Sequence, residues 1–207
     1  MIRKKEKVEK MEKKQKLVPA KGARGYIDRT KKLALLVAAG SFLLAAAMFI
    51  AGLFLFESKF NVLSIFAALI VIPFAGAITR FVLFAKYRSV SEEDEKKVFD
   101  ASPAGSTTLS DVVMTSTERA MGLAFVVITD NEVAALKAKG EKTPTVKLYE
   151  YLKDLVKRKG FANSVEVVED MDKFLKHLGT LSESPARAED EEDPQQEVVE
   201  MLRVYMA

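Results

Sequence analysis

Hydrophobic and polar positions separate into three regimes along this chain: a charged opening, two long apolar blocks, and a remainder in which short apolar runs alternate with polar ones. Residues 33–56 form an uninterrupted apolar block whose only hydroxyl is Ser41. Residues 60–84 form a second, with Asn61, Ser64, Thr79 and Arg80 as its polar members. Blocks of 24 and 25 residues, at about 1.5 Å per residue, exceed a hydrocarbon core of about 30 Å. Neither has the polar face that a helix on a soluble fold turns to water. The pattern predicts two membrane-spanning helices, 33–56 and 60–85, joined by a minimal turn at 57–59. A cleaved secretory signal would have a shorter core and would not run into a second span.

Within the spans, small residues recur at helical spacing: Ala34, Ala38, Ser41, Ala45 and Gly52 in the first, and Ser64, Ala68, Ala75 and Thr79 in the second. Membrane helices associate by close backbone approach along such faces, so the two stripes are expected to pack on each other, with a second copy of the hairpin as the other use. Pro73, close to Gly76, is expected to loosen the second helix. Arg80 is the one ionisable group inside a span. It lies near Lys86 and Arg88, so its side chain is expected to reach the headgroups.

Beyond the spans, residues 86–103 read as a charged linker containing SEEDEKK, followed by a soluble α/β or α+β domain over 104–181. Residues 107–117 alternate loosely and 121–129 form a richer apolar run, which predicts a strand pair. Thr129 and Glu132 fit a capping box ahead of a short helix over 133–139, with a hairpin at Asp130-Asn131 as the competing reading. Thr143-Pro144 opens a firmer helix carrying Leu148, Leu152, Leu155 and Val156 on one face and stopping at Gly160, with Thr143 as its cap. A short strand at 165–168 and a helix capped by Asp170 follow. After an acidic linker at 182–194, residues 195–207 form a C-terminal amphipathic helix too short to stand alone. It must dock on its own domain or on a partner.

Charge orients this layout. The net +3 divides into +9 for residues 1–32, +1 for 33–85 and −7 for 86–207. Basic flanks and a neutral turn put both termini in the cytoplasm of a cell-membrane protein by the positive-inside rule. The basic head 1–32, with a thin stripe of Val8, Met11, Gln15 and Val18, and the residues Lys16, Lys21, Arg24, Arg29, Lys31, Lys32, Arg80, Lys86 and Arg88, are expected to meet anionic lipid headgroups. Nucleic acid is not expected as a partner, because Tyr26 is the only aromatic in the basic head 1–32.

Chemistry is sparse. Cysteine is absent, which removes disulfides, thiolate metal sites and Cys nucleophiles. His177 is the only histidine and reads as an exposed helix position. The run of residues 102–108, SPAGSTT, lacks the Lys and second Gly of a phosphate loop. Asp111, Glu118, Asp130 and Glu132, with Lys137 nearby, bracket the strand pair. Asp111, Asp130 and Glu132 are the candidate catalytic carboxylates, although their spacing matches no metal motif. No cofactor and no metal are expected. The leading expectation is a membrane-tethered adaptor or assembly module that binds a protein partner. The alternatives are a metal-dependent hydrolase or nuclease-like enzyme and a non-catalytic subunit of a larger membrane complex.

Overall fold

The computed structural model describes residues 19–56, 61–116, 119–161, 164–183 and 194–207. The turn expected at 57–59, the stripe of residues 8–18, Lys16 and Glu118 lie outside them. The chain divides into two compact units, Asp28–Lys86 and a second made of Met1–Ile27 with Tyr87–Ala207.

Two helices account for the first unit, α1 (Tyr26–Phe56) and α2 (Val62–Ala85). The first starts well before residue 33, because Asp28 in its first turn favours the positive helix end and pairs with Lys31 at 2.8 Å. Both helices are long and apolar enough to cross a membrane, and 11% of the most apolar stretch of each is buried. Asn61 caps α2, its Oδ1 accepting from the Ser64 amide at 2.9 Å. That capping group lies against Gly52, where an added Cβ would come within 2.6 Å of Oδ1.

Ala34, Ala38 and Gly52 of the expected stripe on α1 are buried, and Ser41 and Ala45 are half-buried. On α2 the expected stripe is out of phase. Ala67 and Ala77 are buried, whereas Ala68, Ala75 and Thr79 are exposed and only Ser64 is half-covered. Large residues share the contacting row, as the Phe42 and Phe74 rings 6.2 Å apart show, so small-residue spacing alone misplaces it. Thr79 satisfies its hydroxyl on the Ala75 carbonyl of its own helix.

The second unit is built on a mixed sheet in the order β1-β2-β3-β4: Thr107–Thr115, Ala120–Ile128, Glu132–Lys137 and Ser164–Val168. The first two pairings are antiparallel and β3 runs parallel to β4, with α4 (Thr145–Arg158) as the crossover. On one face α4 and α6 (Pro194–Tyr205) cover Val112, Leu123, Val126 and Val133. On the other, α3 (Glu92–Ala101) and α5 (Met171–Leu178) cover Phe125, Val127, Ala134 and Leu136.

Several expectations change. Residues 86–103 are not a tether, since α3, capped by Ser91, buries Val98 in the core. Residues 132–137 are a strand rather than a helix. Val133, Ala134, Ala135 and Leu136 are all buried, and an apolar run covered on both faces suits a central strand. The Thr129 and Glu132 signature closes the Asp130-Asn131 hairpin instead, with the Glu132 amide donating to Thr129 Oγ1 at 3.1 Å. The C-terminal helix docks on its own domain, burying Val198, Val199, Met201 and Leu202 in the main core.

Asp111 interrupts β1. Its φ of 54° is the one positive value among the described non-glycine residues. The alternation slips there: Leu109 and Val112 lie in the same core cluster although three positions apart. Opposite, β2 slips between Leu123 and Phe125. The two strands thus carry matched irregularities at one level, as bulges do when they re-aim a side chain.

Candidate functional site

Asp111 is fully buried, and its carboxylate is the acceptor for two segments that adjoin the helical hairpin in sequence. Oδ2 accepts from the Gly25 amide at 2.7 Å and Oδ1 from the Val90 amide at 2.8 Å. The Ile27 amide and the Ser89 side chain also hydrogen-bond to it. Burial raises the Asp111 carboxyl above the ordinary aspartate value, against the pull of these donors. With no exposure and its oxygens occupied, this carboxylate has no open lone pair to offer a metal or a substrate.

A second buried acid does comparable work and was not visible as a candidate. Glu141 accepts from the Gly122 amide at 2.7 Å and from the Thr143 amide and hydroxyl at 2.8 Å each, and it bonds the Tyr87 hydroxyl. Tyr87, fully buried, lies on Gly122: a Cβ there would sit 2.3 Å from ring atom Cε1. Glycine at 122 is needed for this close approach, not for its backbone freedom. Thr143, expected to cap α4, is committed to Glu141, and the helix starts without a side-chain cap. Burial and the Glu141 carboxylate drive the tyrosine pKa upward. Burial opposes ionisation of Glu141 too, but the hydrogen bonds from Tyr87, Thr143 and Gly122 win and hold its pKa at about 2.

Because the folded value lies below the ordinary 4.5, Glu141 stabilises the fold above that pH, and the contribution disappears as pH falls toward 2. Glu141→Gln is expected to cost about 2 kcal/mol at neutral pH, since one amide oxygen cannot replace two carboxylate oxygens, and to flatten the acid limb. Unfolding from pH 7 to 3 followed by tyrosine emission checks this. There is no tryptophan, and all five tyrosines (Tyr26, Tyr87, Tyr149, Tyr151 and Tyr205) fall outside the apolar stretches of the hairpin.

The remaining sequence candidates are engaged separately. Asp130 accepts from Gln195 Nε2 at 2.8 Å, and this buried glutamine also donates to the Gly105 carbonyl and accepts from Thr107. Glu132 Oε1 lies 2.5 Å from His177 Nε2, joining β3 to α5. His177 is therefore half-covered rather than exposed. Among the described residues, no group of three or more acids or histidines is placed to hold a metal ion, and Asp111, Asp130 and Glu132 do not converge. Lys137 pairs with Glu169 at 2.8 Å.

Some of the basic residues expected at headgroups are also engaged by the protein itself. Lys21 Nζ donates to the Met206 carbonyl at 2.5 Å, and Arg24 pairs with Glu95 at 2.7 Å. Tyr26 donates to the Ala207 main-chain oxygen at 2.8 Å. With the Ser110 amide on the Gly22 carbonyl and the Ala207 amide on the Val113 carbonyl, these contacts cover the outer edge of β1, which would otherwise invite another strand. Comparison with protein-family models, with curated proteins and with solved structures gives no match, so the functional reading rests on this geometry.

Proposed function

We propose that this protein is a non-catalytic membrane adaptor: a two-helix hairpin in the cell membrane that carries an acidic α/β module on the cytoplasmic side, where it binds a protein partner. The observation that carries this reading is how the module uses its carboxylates. Asp111 and Glu141 bind residues 25–27 and 87–90, the stretches through which the chain enters and leaves the hairpin, and Asp130 and Glu132 are spent on internal contacts. The membrane assignment is supported by helices that are apolar all round yet 11% buried over their most apolar stretches, since a core helix of a soluble protein would be covered. The basic flanks set the orientation.

The test is crosslinking in native membranes followed by purification. A stoichiometric partner is expected, and its retention should survive Glu132→Gln, which removes a candidate catalytic carboxylate. A purified chain that needs no partner and shows a hydrolytic activity lost in Glu132→Gln, with tyrosine-monitored unfolding unchanged, would refute the adaptor reading in favour of an enzyme.

A further inference from the structure

Within the helical hairpin, α1 and α2 leave a cleft of about 290 Å³ lined by Thr30, Leu33, Val37, Pro73, Gly76 and Arg80, among others. Its two polar groups lie toward the same end of the hairpin, Thr30 in the second turn of α1 and Arg80 in the last turns of α2. Thr30 Oγ1 is buried and has no hydrogen-bond partner. Arg80 forms no ion pair or hydrogen bond among the described residues. A buried hydroxyl is ordinarily satisfied, and a guanidinium among apolar residues calls for an anion whose oxygens match its donors. The rest of the cleft is apolar. At Gly76 an added Cβ would meet nothing within 4 Å, so open space extends along the Pro73 to Gly76 stretch.

We propose that this cleft is a binding site for one anionic phospholipid, with the phosphodiester at Arg80 and Thr30 and the first methylenes of a chain along Leu33, Val37 and Gly76. The site rests on the membrane-spanning reading above. It differs from general attraction of basic residues to a surface, because it is an open cleft between two helices that joins a cation, an unsatisfied hydroxyl and an apolar floor. A second copy of the hairpin is the competing occupant. It offers no acid from a span to meet Arg80, since the apolar blocks contain no Asp or Glu.

The test uses the full chain in mild detergent, incubated with phosphatidylglycerol or phosphatidylcholine of the same acyl composition and read by native mass spectrometry. One retained phosphatidylglycerol per chain is expected, with a roughly five-fold preference over phosphatidylcholine, the scale of one basic residue's attraction to anionic lipid. Gly76→Leu, which fills the cleft, and Arg80→Gln should both abolish the preference. Arg80→Lys should keep part of it. Gly40→Leu, also into open space, should leave it intact, and millimolar inorganic phosphate should not displace the lipid. Equal retention of both lipids, a preference that survives Gly76→Leu with helix content unchanged, or a lipid-free dimer would overturn the proposal. Failure of the membrane reading is distinguishable, because the chain would then stay in solution without detergent.

Discussion

Asp111→Ala is expected to destabilise the module by about 4 kcal/mol, a large share of the roughly 5–15 kcal/mol that holds an ordinary domain together. The substitution strands the Gly25, Ile27 and Val90 amides and the Ser89 hydroxyl, each a loss of about 1 kcal/mol or more. Alanine keeps the Cβ that aspartate already carries at a φ of 54°, so a backbone strain of roughly 1 kcal/mol remains in the variant. Two further variants separate these terms. Asp111→Gly relieves the backbone but not the lost acceptors, and should recover about 1 kcal/mol of the deficit. Asp111→Asn tolerates the left-handed backbone but turns an NH2 toward amide donors, and should cost about 2 kcal/mol. Denaturant unfolding of the full chain in detergent, followed by tyrosine emission, measures all three. A loss under about 1 kcal/mol in Asp111→Ala would show that the carboxylate does not hold these segments.

Gly122→Ala should cost about 3 kcal/mol through overpacking. The new methyl would lie 2.3 Å from Cε1 of a fully buried Tyr87. That ring cannot swing aside, because its hydroxyl is bound to Glu141 and to the Ala120 carbonyl. Tyr87→Ala alone should cost about 4 kcal/mol by leaving a ring-sized cavity. The double variant should be no worse than Tyr87→Ala, a coupling of about 3 kcal/mol in a double-mutant cycle. Additive losses would mean that the ring and the glycine do not meet. These experiments also change how the candidate carboxylates are interrogated. Alanine at Asp111 tests the fold, and only Glu132 and Asp130 remain informative about chemistry.

The hairpin was legible because its signal is long: two blocks of more than twenty apolar residues overwhelm any local ambiguity. The helices α4 and α5 were legible on a smaller scale, each having a periodic face and a stop at Gly160 or Gly179, and β1 and β2 were legible from loose alternation and a rich apolar run. The helix expected at 133–139 failed because Thr129 and Glu132 present the same residue types whether they cap a helix or close a hairpin. What decides between them is burial of Val133 to Leu136 on both faces, which depends on β4, some thirty residues further on. Long-range pairing of this kind leaves no local trace.

The buried acids escaped for a related reason. Glu141 sits in the polar stretch GEKTP and looks solvated; only Tyr87 and Gly122, each about twenty residues or more away, make it a core acceptor. Asp111 stands out in the sequence as a carboxylate within a strand, and the same unusual placement that suggests chemistry serves the attachment of residues 25–27 and 89–90. The docking of α6 followed from its apolar face, but the choice of its own domain rests on Gln195, whose side chain meets three separate loops and strands.

The most direct check of a membrane hairpin carrying a cytoplasmic module exploits the absence of cysteine from the chain. Ser58→Cys, between the two apolar blocks, and Glu150→Cys, exposed on α4, each introduce a single thiol. Intact cells treated with an impermeant maleimide should label Ser58→Cys, and Glu150→Cys should label only after lysis. Labelling of Glu150→Cys in intact cells, or of Ser58→Cys only after lysis, would contradict the account.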